Sequence, residues 1–446
     1  MMISVAEDVY FRKFDEYNYV RNVALTTDYI MNETSYDIME FVRSHQPCDI
    51  ADVLEYMKTV YDSTGDEAFE QDIREFIEQL INDGVLVSDE VQEEPEYLRG
   101  IIQQKCFEVH QLFSACLELT YRCNEKCIHC YADIPSNQKE ELSTSEVFDV
   151  IDQLKDMGCM GVLLTGGEVT LRPDFMEIAR YVKQSGMLVD IYTNGLMVTD
   201  DIMDEMIELK PNSVSFSFYG GTPEVHDLVT TVKGSFEKSL KTMMTMKCAG
   251  IDTYMKSVIM KENADDYENL LKLGKRLRIP VKGSISIMPT HRGKQADQHR
   301  LLDRDSYIRI LELEEQYGVR DFSRDASKRG RYICASGLDS MSIDPVGNIH
   351  PCNAHPEVLG NVRENRLKDV WEKSEVLMRM RDVRPQDVSE SCASCKDYNY
   401  CSVCVGSAIR ENGALSPCSD TCMIAQAYHF VYKREGKEVT SYEENL

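Results

Sequence analysis

No stretch of the chain approaches the ~18 consecutive apolar residues of a membrane span, and the N-terminus from Met1 to Asp8 has neither the basic region nor the long apolar run of a secretory signal. A soluble, cytoplasmic chain is the expectation. Basic residues are also scarce, because 49 Lys and Arg stand against 76 Asp and Glu for a net charge of −27. A nucleic-acid binder presents a basic footprint, so binding to a phosphate backbone is excluded as the main role. A basic or mixed-charge peptide partner would be favoured at long range. At 446 residues and 43% apolar content the chain is long enough for about two or three domains with sizeable cores.

What the chain does have is cysteine, 16 in all. A reducing compartment does not keep a disulfide framework, and clustered cysteines there bind metal more often. Cys123, Cys127 and Cys130 form one group and Cys334 and Cys352 a pair, while Cys392, Cys395, Cys401, Cys404, Cys418 and Cys422 crowd the C-terminal part. Cys48, Cys159 and Cys248 read as small buried apolar side chains. Cys106 and Cys116 are likewise scattered.

Residues 1–87 read as a compact α+β, winged-helix-like domain. Short β-leaning runs at Val9–Arg12 and Tyr17–Arg21 precede a helix expected to start at the capping-box-like Thr34-Ser-Tyr-Asp37. A second helix follows with Ile50, Leu54 and Met57 on one face. In a third, Phe69, Ile73, Phe76, Ile77 and Leu80 form a stripe that stops near Gly84, before Val85-Leu-Val. Residues 88–112 read as a linker, acidic and broken by Pro95. Across 113–310 strand-like runs alternate with helical ones: Leu117–Thr120, Val162–Thr165, Val189–Thr193, Val214–Phe218, Tyr254–Ile259 and Gly283–Ile287. Such alternation predicts a parallel sheet. The capping box Ser143-Thr-Ser-Glu146 and the stop at Gly158 mark one of the intervening helices.

Ligands in such sheets sit beyond the C-terminal strand ends. The loop Cys123-x3-Cys127-x2-Cys130 follows the first run, Gly166-Gly-Glu168 the second and Asn194-Gly195 the third. Three thiolates are one too few to close a cubane cluster, so one iron would keep an open position for a chelating ligand. A zinc site using His129 is the alternative reading of the loop.

With both motifs one βα unit apart, residues 113–290 resemble the radical S-adenosylmethionine (SAM) superfamily. The resemblance implies a partial (β/α)6 barrel. It also implies a [4Fe-4S] cluster on Cys123, Cys127 and Cys130, whose open iron takes SAM and whose reduced form cleaves it to a 5'-deoxyadenosyl radical. Glu168 would accept from the SAM ammonium group, and Gly166 and Gly167 would let the backbone approach the ligand. Asn194 with Ser215 or Ser217 would reach the ribose or the carboxylate, and His129 and Tyr131 would flank the adenine.

The spacing Cys334-x12-Gly347-x4-Cys352, then Cys392-x2-Cys395-x5-Cys401-x2-Cys404, then Cys418, resembles the SPASM extension with two auxiliary [4Fe-4S] clusters, expected in residues 311–446 together with a bridging region. Alone, the paired C-x2-C spacings would favour structural zinc; attached to this barrel, clusters account for them better. By resemblance Cys334, Cys352 and Cys404 hold auxiliary cluster I, and Cys392, Cys395, Cys401 and Cys418 hold auxiliary cluster II. The family commonly has one more residue before its fourth clustered cysteine, so Cys422 stands as the substitute for Cys404. For auxiliary cluster I the fourth ligand stays open between Cys422, Cys106, Cys116 and a substrate sulfur.

The N-terminal unit resembles the peptide-recognition domain related to a small pyrroloquinoline-quinone chaperone, on the strength of its element order. That implies binding of a leader peptide as an added strand. A DNA-binding winged helix is disfavoured by the acidity of Asp8, Asp15, Glu16, Asp37, Glu40, Asp49, Asp52 and Glu55. Together the resemblances imply a maturase of ribosomally made peptides that binds SAM and three [4Fe-4S] clusters, draws electrons from a flavodoxin or ferredoxin, and installs a cross-link. A thioether of the sactipeptide or ranthipeptide type is favoured if auxiliary cluster I has an open iron, with a carbon–carbon bond next. A formylglycine-type protein maturase and a non-catalytic iron–sulfur redox sensor are the other readings.

Overall fold

The computed structural model describes residues 2–6, 9–13, 18–22, 27–63, 66–88, 106, 109–132, 140–290, 298–320, 334, 336–384 and 388–434. The chain divides into two compact units, Met1–Phe113 and Ser114–Leu446.

In the first unit the strands β1 (Met2–Val5), β2 (Val9–Lys13), β3 (Asn18–Asn22), β4 (Thr27–Met31), β5 (Cys48–Asp49) and β6 (Leu86–Ser88) make two antiparallel sheets, ordered β5-β1-β6 and β2-β3-β4. Helices Glu33–His45, Ile50–Val60 and Glu67–Asn82 pack an apolar face of Ile38, Val42, Val53, Met57, Ile73 and Ile77 onto them. Strands, then helices, then a closing strand were expected; β1, β4 and the short β5 between the first two helices are additions. The first helix is capped not at Thr34 but at Asn32, whose side chain accepts from Ser35 N at 2.8 Å. An Asn at the N-cap satisfies an otherwise orphaned amide, which moves the helix start upstream. The fully buried β3 carries Arg21, which donates to both oxygens of Asp28 at 3.0 and 3.1 Å, and Tyr19 donates to the same carboxylate. Most of the expected linker, residues 89–105, 107 and 108, lies outside the described residues.

The second unit is built on one sheet of order β12-β11-β10-β9-β8-β7-β13-β14-β15. Strands β7 (Ser114–Glu118), β8 (Gly161–Thr165), β9 (Leu188–Thr193), β10 (Ser213–Ser217), β11 (Thr253–Val258) and β12 (Val281–Ser284) are parallel, each next to its successor. This is the expected α/β parallel sheet. The helix Thr144–Asp156 has the expected capping box on Ser143 and Glu146, buries Val147, Val150, Ile151 and Leu154, and is followed by Gly158 at φ 78°. The last strand ends at Ser284 rather than Ile287, because its ladder partner β11 ends at Val258.

Sequence periodicity did not reveal β13 (Ser340–Ile343), β14 (Asn348–His350) and β15 (Gly360–Asn361). They extend the same sheet beyond β7: β13 pairs with β7 in parallel, and β14 and β15 follow as an antiparallel meander. The expected break at 310/311 falls inside the helix Arg304–Gln316, which packs on the helix Thr421–Arg434. Barrel and cysteine-rich segment therefore share one framework. Among the described residues no helix is long and apolar enough to cross a membrane.

The register sorts the side chains of this sheet onto two faces. Leu117, Leu164, Ile191, Val214, Phe216, Met255 and Ile343 are buried on the side covered by helices. The opposite face, turned to the barrel interior, carries Cys116, Asp190, Tyr192, Ser215, Ser217, Tyr254 and Lys256.

Candidate active site

The expected polar loops converge at the C-terminal ends of the parallel strands. The loop after β7 is strapped down at both ends. Lys126 N and Ile128 N donate to Thr230 O and Val229 O at 3.3 and 3.0 Å, and Arg172 donates to Leu119 O at 2.7 Å and Leu142 O at 2.9 Å. Between these anchors Cys123 and Cys130 are exposed and Cys127 is half-buried. The thiols are close enough to repel one another as thiolates; burial pushes Cys123 up to about 11 and Cys127 further. Cys127 Sγ donates to Glu125 Oε2 at 3.3 Å, and burial lifts that carboxyl to about 7.

The glycines let two loops approach each other closely. Gly167 N donates to Thr120 O at 2.7 Å and Glu168 N to Arg122 O at 2.8 Å, so the two loops lie backbone to backbone. A Cβ at Gly166 would stand 2.5 Å from Thr120 O, and one at Gly167 2.3 Å from Arg122 O. The missing side chains thus admit the cysteine loop itself. We expect Gly167→Ala to cost about 1–3 kcal/mol by overpacking against backbone that cannot move without displacing Cys123. A fall in melting temperature together with loss of bound iron would show it; an unchanged melt would contradict it.

Glu168 is 1% exposed and accepts several hydrogen bonds from its own loop and the next. Its Oε1 accepts from Thr170 N, Thr170 Oγ1 and Thr193 Oγ1 at 3.1, 2.8 and 2.7 Å, and its Oε2 from Asn194 N at 2.7 Å. Burial raises this carboxyl and those donors oppose the rise. The carboxylate therefore ties the β8 loop to the β9 loop. Oε2 retains capacity for one further donor. From the anchored Asn194, Nδ2 reaches Asn124 Oδ1 at 2.7 Å and approaches Cys123 Sγ at 4.0 Å. One chain of contacts thus runs from Glu168 to the first cysteine.

Of the remaining expected residues, Ser215 is buried and Ser217 half-buried on β10, and Ser217 is bonded to the Tyr219 hydroxyl. His129 stands edge-on to Tyr219, centroids 4.6 Å apart at 70°, and burial lowers it to about 4, so the imidazole is neutral. Tyr131 donates to Glu118, which burial keeps above the usual carboxylate range. Sequence reasoning missed Glu118, Glu125, Arg172 and Tyr219. The last, just past a predicted strand end, is the one whose position was a usable signal.

The C-terminal cysteines line two cavities. A cavity of about 260 Å³ is lined by Cys392, Cys395, Cys401 and Cys422. Cys418 instead lines a separate cavity of about 160 Å³ with Cys404. Cys404 also stands within electrostatic reach of Cys334 and Cys352, and Ser336 bonds both of those thiols. Cys116, Cα partner of Ser342, approaches the same group from the Cys352 side. Cys106 is buried in the first unit. Cys418 also packs in one apolar cluster with Cys392 and Cys401 of its expected set, and Cys422, in the first turn of the helix Thr421–Arg434, lines the Cys392 cavity. Among the described residues no three His, Cys, Asp or Glu side chains converge on a single metal ion. Thiols of a cubane each take a different iron and stand farther apart than ligands of one ion.

Residues 117–274 match the model of the radical SAM superfamily, and residues 334–396 that of the iron-sulfur cluster-binding SPASM domain. The chain is a radical SAM/SPASM enzyme. It is 28% identical over 322 residues to the AdoMet-dependent heme synthase of Methanosarcina barkeri, covering 66% of this chain and 92% of that one. It is 28% identical over 300 residues to the mycofactocin maturase MftC of Mycolicibacterium smegmatis, covering 64% of this chain and 75% of the relative. In fold it resembles Streptococcus suis SuiB bound to its precursor peptide SuiA, with a TM-score of 0.63 and 16% identity over 94% of this chain and 100% of that one.

SAM and [4Fe-4S] clusters are the cofactors of such an enzyme. The cysteine loop of this radical SAM/SPASM chain fits that group. Three thiols project from one strapped loop, and Asn124 Nδ2, Glu125 Oε1 and His129 Nδ1 are buried there without a hydrogen-bond partner among the described residues. Orphaned polar atoms gathered at one loop are where a polar ligand is accommodated.

Proposed function

We propose that this radical SAM/SPASM enzyme matures a ribosomally made precursor peptide by cross-linking it. One observation carries the reading. The chain joins a radical SAM barrel to a separate first unit whose antiparallel sheet β2-β3-β4 ends in two strands, each paired only with β3 among the described residues. An extended peptide adds to such an edge through main-chain hydrogen bonds. Coverage of 94% in the likeness to SuiB takes in much of that unit as well as the barrel, which supports a peptide over a tetrapyrrole substrate. The first 87 or so residues would hold the leader and the barrel the core. A cytoplasmic site of action and a flavodoxin- or ferredoxin-type donor complete the proposal.

Cys123, Cys127 and Cys130 would hold the SAM-binding cluster, positioned by Glu168 through Asn194 and by the backbone pairing of Gly166–Glu168 with Thr120–Arg122. Held there, SAM and the cluster would supply the chemistry of hydrogen-atom abstraction, and the auxiliary sites would supply an acceptor for the surplus electron. His129, neutral and set against Tyr219, and Ser217 on the interior face would line the nucleoside side.

For the auxiliary sites we infer ligand sets Cys392, Cys395, Cys401 and Cys422, and Cys334, Cys352, Cys404 and Cys418. In electron paramagnetic resonance spectra, Cys422→Ala should alter the cluster signal that Cys392→Ala alters, and Cys418→Ala the one that Cys334→Ala alters. The reverse pairing would return Cys418 to the other cluster, and an effect of Cys116→Ala in place of Cys418→Ala would make Cys116 the fourth ligand. Either way a protein thiol stands ready to close the first auxiliary cluster. That weakens the case for a peptide thiolate on an open iron and supports a carbon–carbon cross-link over a thioether. Mass spectrometry of the peptide encoded beside the gene, co-expressed with the enzyme, tests the proposal. A loss of two hydrogens in a cysteine-free core is the expected result; an unchanged peptide would refute the maturase reading.

A further inference from the structure

The first auxiliary site carries a hydroxyl that ligation alone leaves unexplained. The N–H of Ser336 donates to Cys334 Sγ at 3.4 Å, and its Oγ accepts from the same thiol at 3.2 Å and is hydrogen-bonded to Cys352 as well. One side chain thus touches two sulfurs, one from the segment before β13 and one from the turn after β14. Backbone contacts decide where that hydroxyl stands. Ser336 is bridged to Ser340 at the start of β13, Gly337 N donates to Ser340 O at 3.1 Å, and Gly337 O accepts from Arg381 Nε at 2.9 Å. Gly337 itself takes φ 74°, a conformation that a side chain would strain. On the other side Arg410 Nε donates to Ala354 O at 3.0 Å and holds the turn that carries Cys352. Because β13 is paired with β7, the hydroxyl is fixed to the barrel sheet.

A thiol can donate a hydrogen bond, whereas a thiolate only accepts. With Cys334 and Cys352 deprotonated to hold iron, the Ser336 hydroxyl has to turn and donate to one of their sulfurs, beside the amide that already does. Hydrogen bonds to cluster sulfurs disperse negative charge, so they favour the reduced state, which carries one more electron. The reaction proposed above needs such a state. Of the two hydrogens lost by the peptide, one leaves as an abstracted atom, and the other leaves as a proton to solvent and one electron to an acceptor.

We propose that Ser336 is a positioning residue for electron transfer, whose hydroxyl, donating to Cys334 or Cys352, raises the reduction potential of the auxiliary cluster these cysteines hold and so favours its taking the surplus electron. The inference rests on the ligand set of Cys334, Cys352 and Cys404 proposed above. Its consequence is that a residue which binds no iron sets how readily the site accepts charge.

Potentiometry of the cluster-loaded enzyme, followed by electron paramagnetic resonance, tests this, with Cys334→Ala marking which signal belongs to the site. Ser336→Ala should make reduction of that site about tenfold less favourable, the worth of one hydrogen bond to a charged group, which lowers a one-electron potential by about 60 mV. An unchanged potential, even with a lower melting temperature, would overturn the proposal and leave Ser336 a structural residue. Where the alanine protein loads no iron at this site, the isosteric pair Ser336→Thr and Ser336→Val decides in its place. Threonine should keep the wild-type potential and valine should fall below it by the same amount, and equal potentials would overturn the proposal. A shift confined to the signal that Cys392→Ala alters would place the hydroxyl at the other site and overturn the ligand set on which the inference rests.

Discussion

Alanine at Cys123, Cys127 and Cys130 together should abolish release of 5'-deoxyadenosine from SAM and dithionite while leaving about two thirds of the iron. The two kinds of site are separate within the fold. These thiols sit on the loop between β7 and β8, strapped to Arg172, Val229 and Thr230, whereas Cys392, Cys395, Cys401 and Cys422 line a cavity built by residues between Val388 and Gln426, and Cys404 and Cys418 one between the end of β12 and Tyr428. Nothing that positions Cys392, Cys395, Cys401 and Cys422 is removed by the substitutions. Iron analysis and cluster absorption check the first part, and chromatography of the nucleoside products the second. Iron falling to near zero would mean that the three sites do not load independently. Wild-type iron near that of a single cluster would refute the auxiliary clusters altogether.

Arg300→Met should cost about 3–5 kcal/mol, the range for breaking a buried ion pair and leaving its partners charged. Arg300 is 5% exposed and spreads one guanidinium over Glu411, Ser419 and Asp420. Both carboxylates are buried, at 7% and 2% exposure, so neither recovers water when the cation goes. The contacts bracket Cys418, and the variant should therefore also loosen whichever cluster that thiol serves. Thermal melting of the cluster-loaded protein gives the first effect, and the electron paramagnetic resonance signal shared with Cys334→Ala the second. Arg300→Lys should recover less than half of the loss, since one ammonium group cannot reproduce a planar fork over several acceptors. An Arg300→Met protein that melts with the wild type would show the network to be neutral.

Local signals carried the parts of this molecule that were readable in advance. The parallel strands from β7 to β12, the capping box at Ser143 and Glu146, and the three-cysteine loop beyond the first strand are each decided by a handful of adjacent residues. What escaped depends on residues far apart in the chain. Gly166 and Gly167 were legible as glycines that something approaches closely, but not that the approaching group is the backbone of Thr120–Arg122. Glu168 was legible as an acceptor, but its donors Thr193 and Asn194 come from the next strand. Cys418 precedes the helix Thr421–Arg434 and Cys422 lies in its first turn, so the start of that helix decides which cavity each lines. The short strands β13, β14 and β15 carry too few residues for a periodicity and exist because β7 offers an edge.

That last pairing has a kinetic side. Strand β7 meets its partner β13 only after the chain between Glu118 and Ser340 has been made, so one of its edges stays bare while the rest of the barrel forms. Contacts of such sequence separation form late, and an unpaired edge strand is a template for association with another chain. The strand that leads into the catalytic cysteine loop is thus finished last. A barrel expressed without residues 334–446 is expected to aggregate through β7, which makes the C-terminal segment a chaperone in cis for the site it extends.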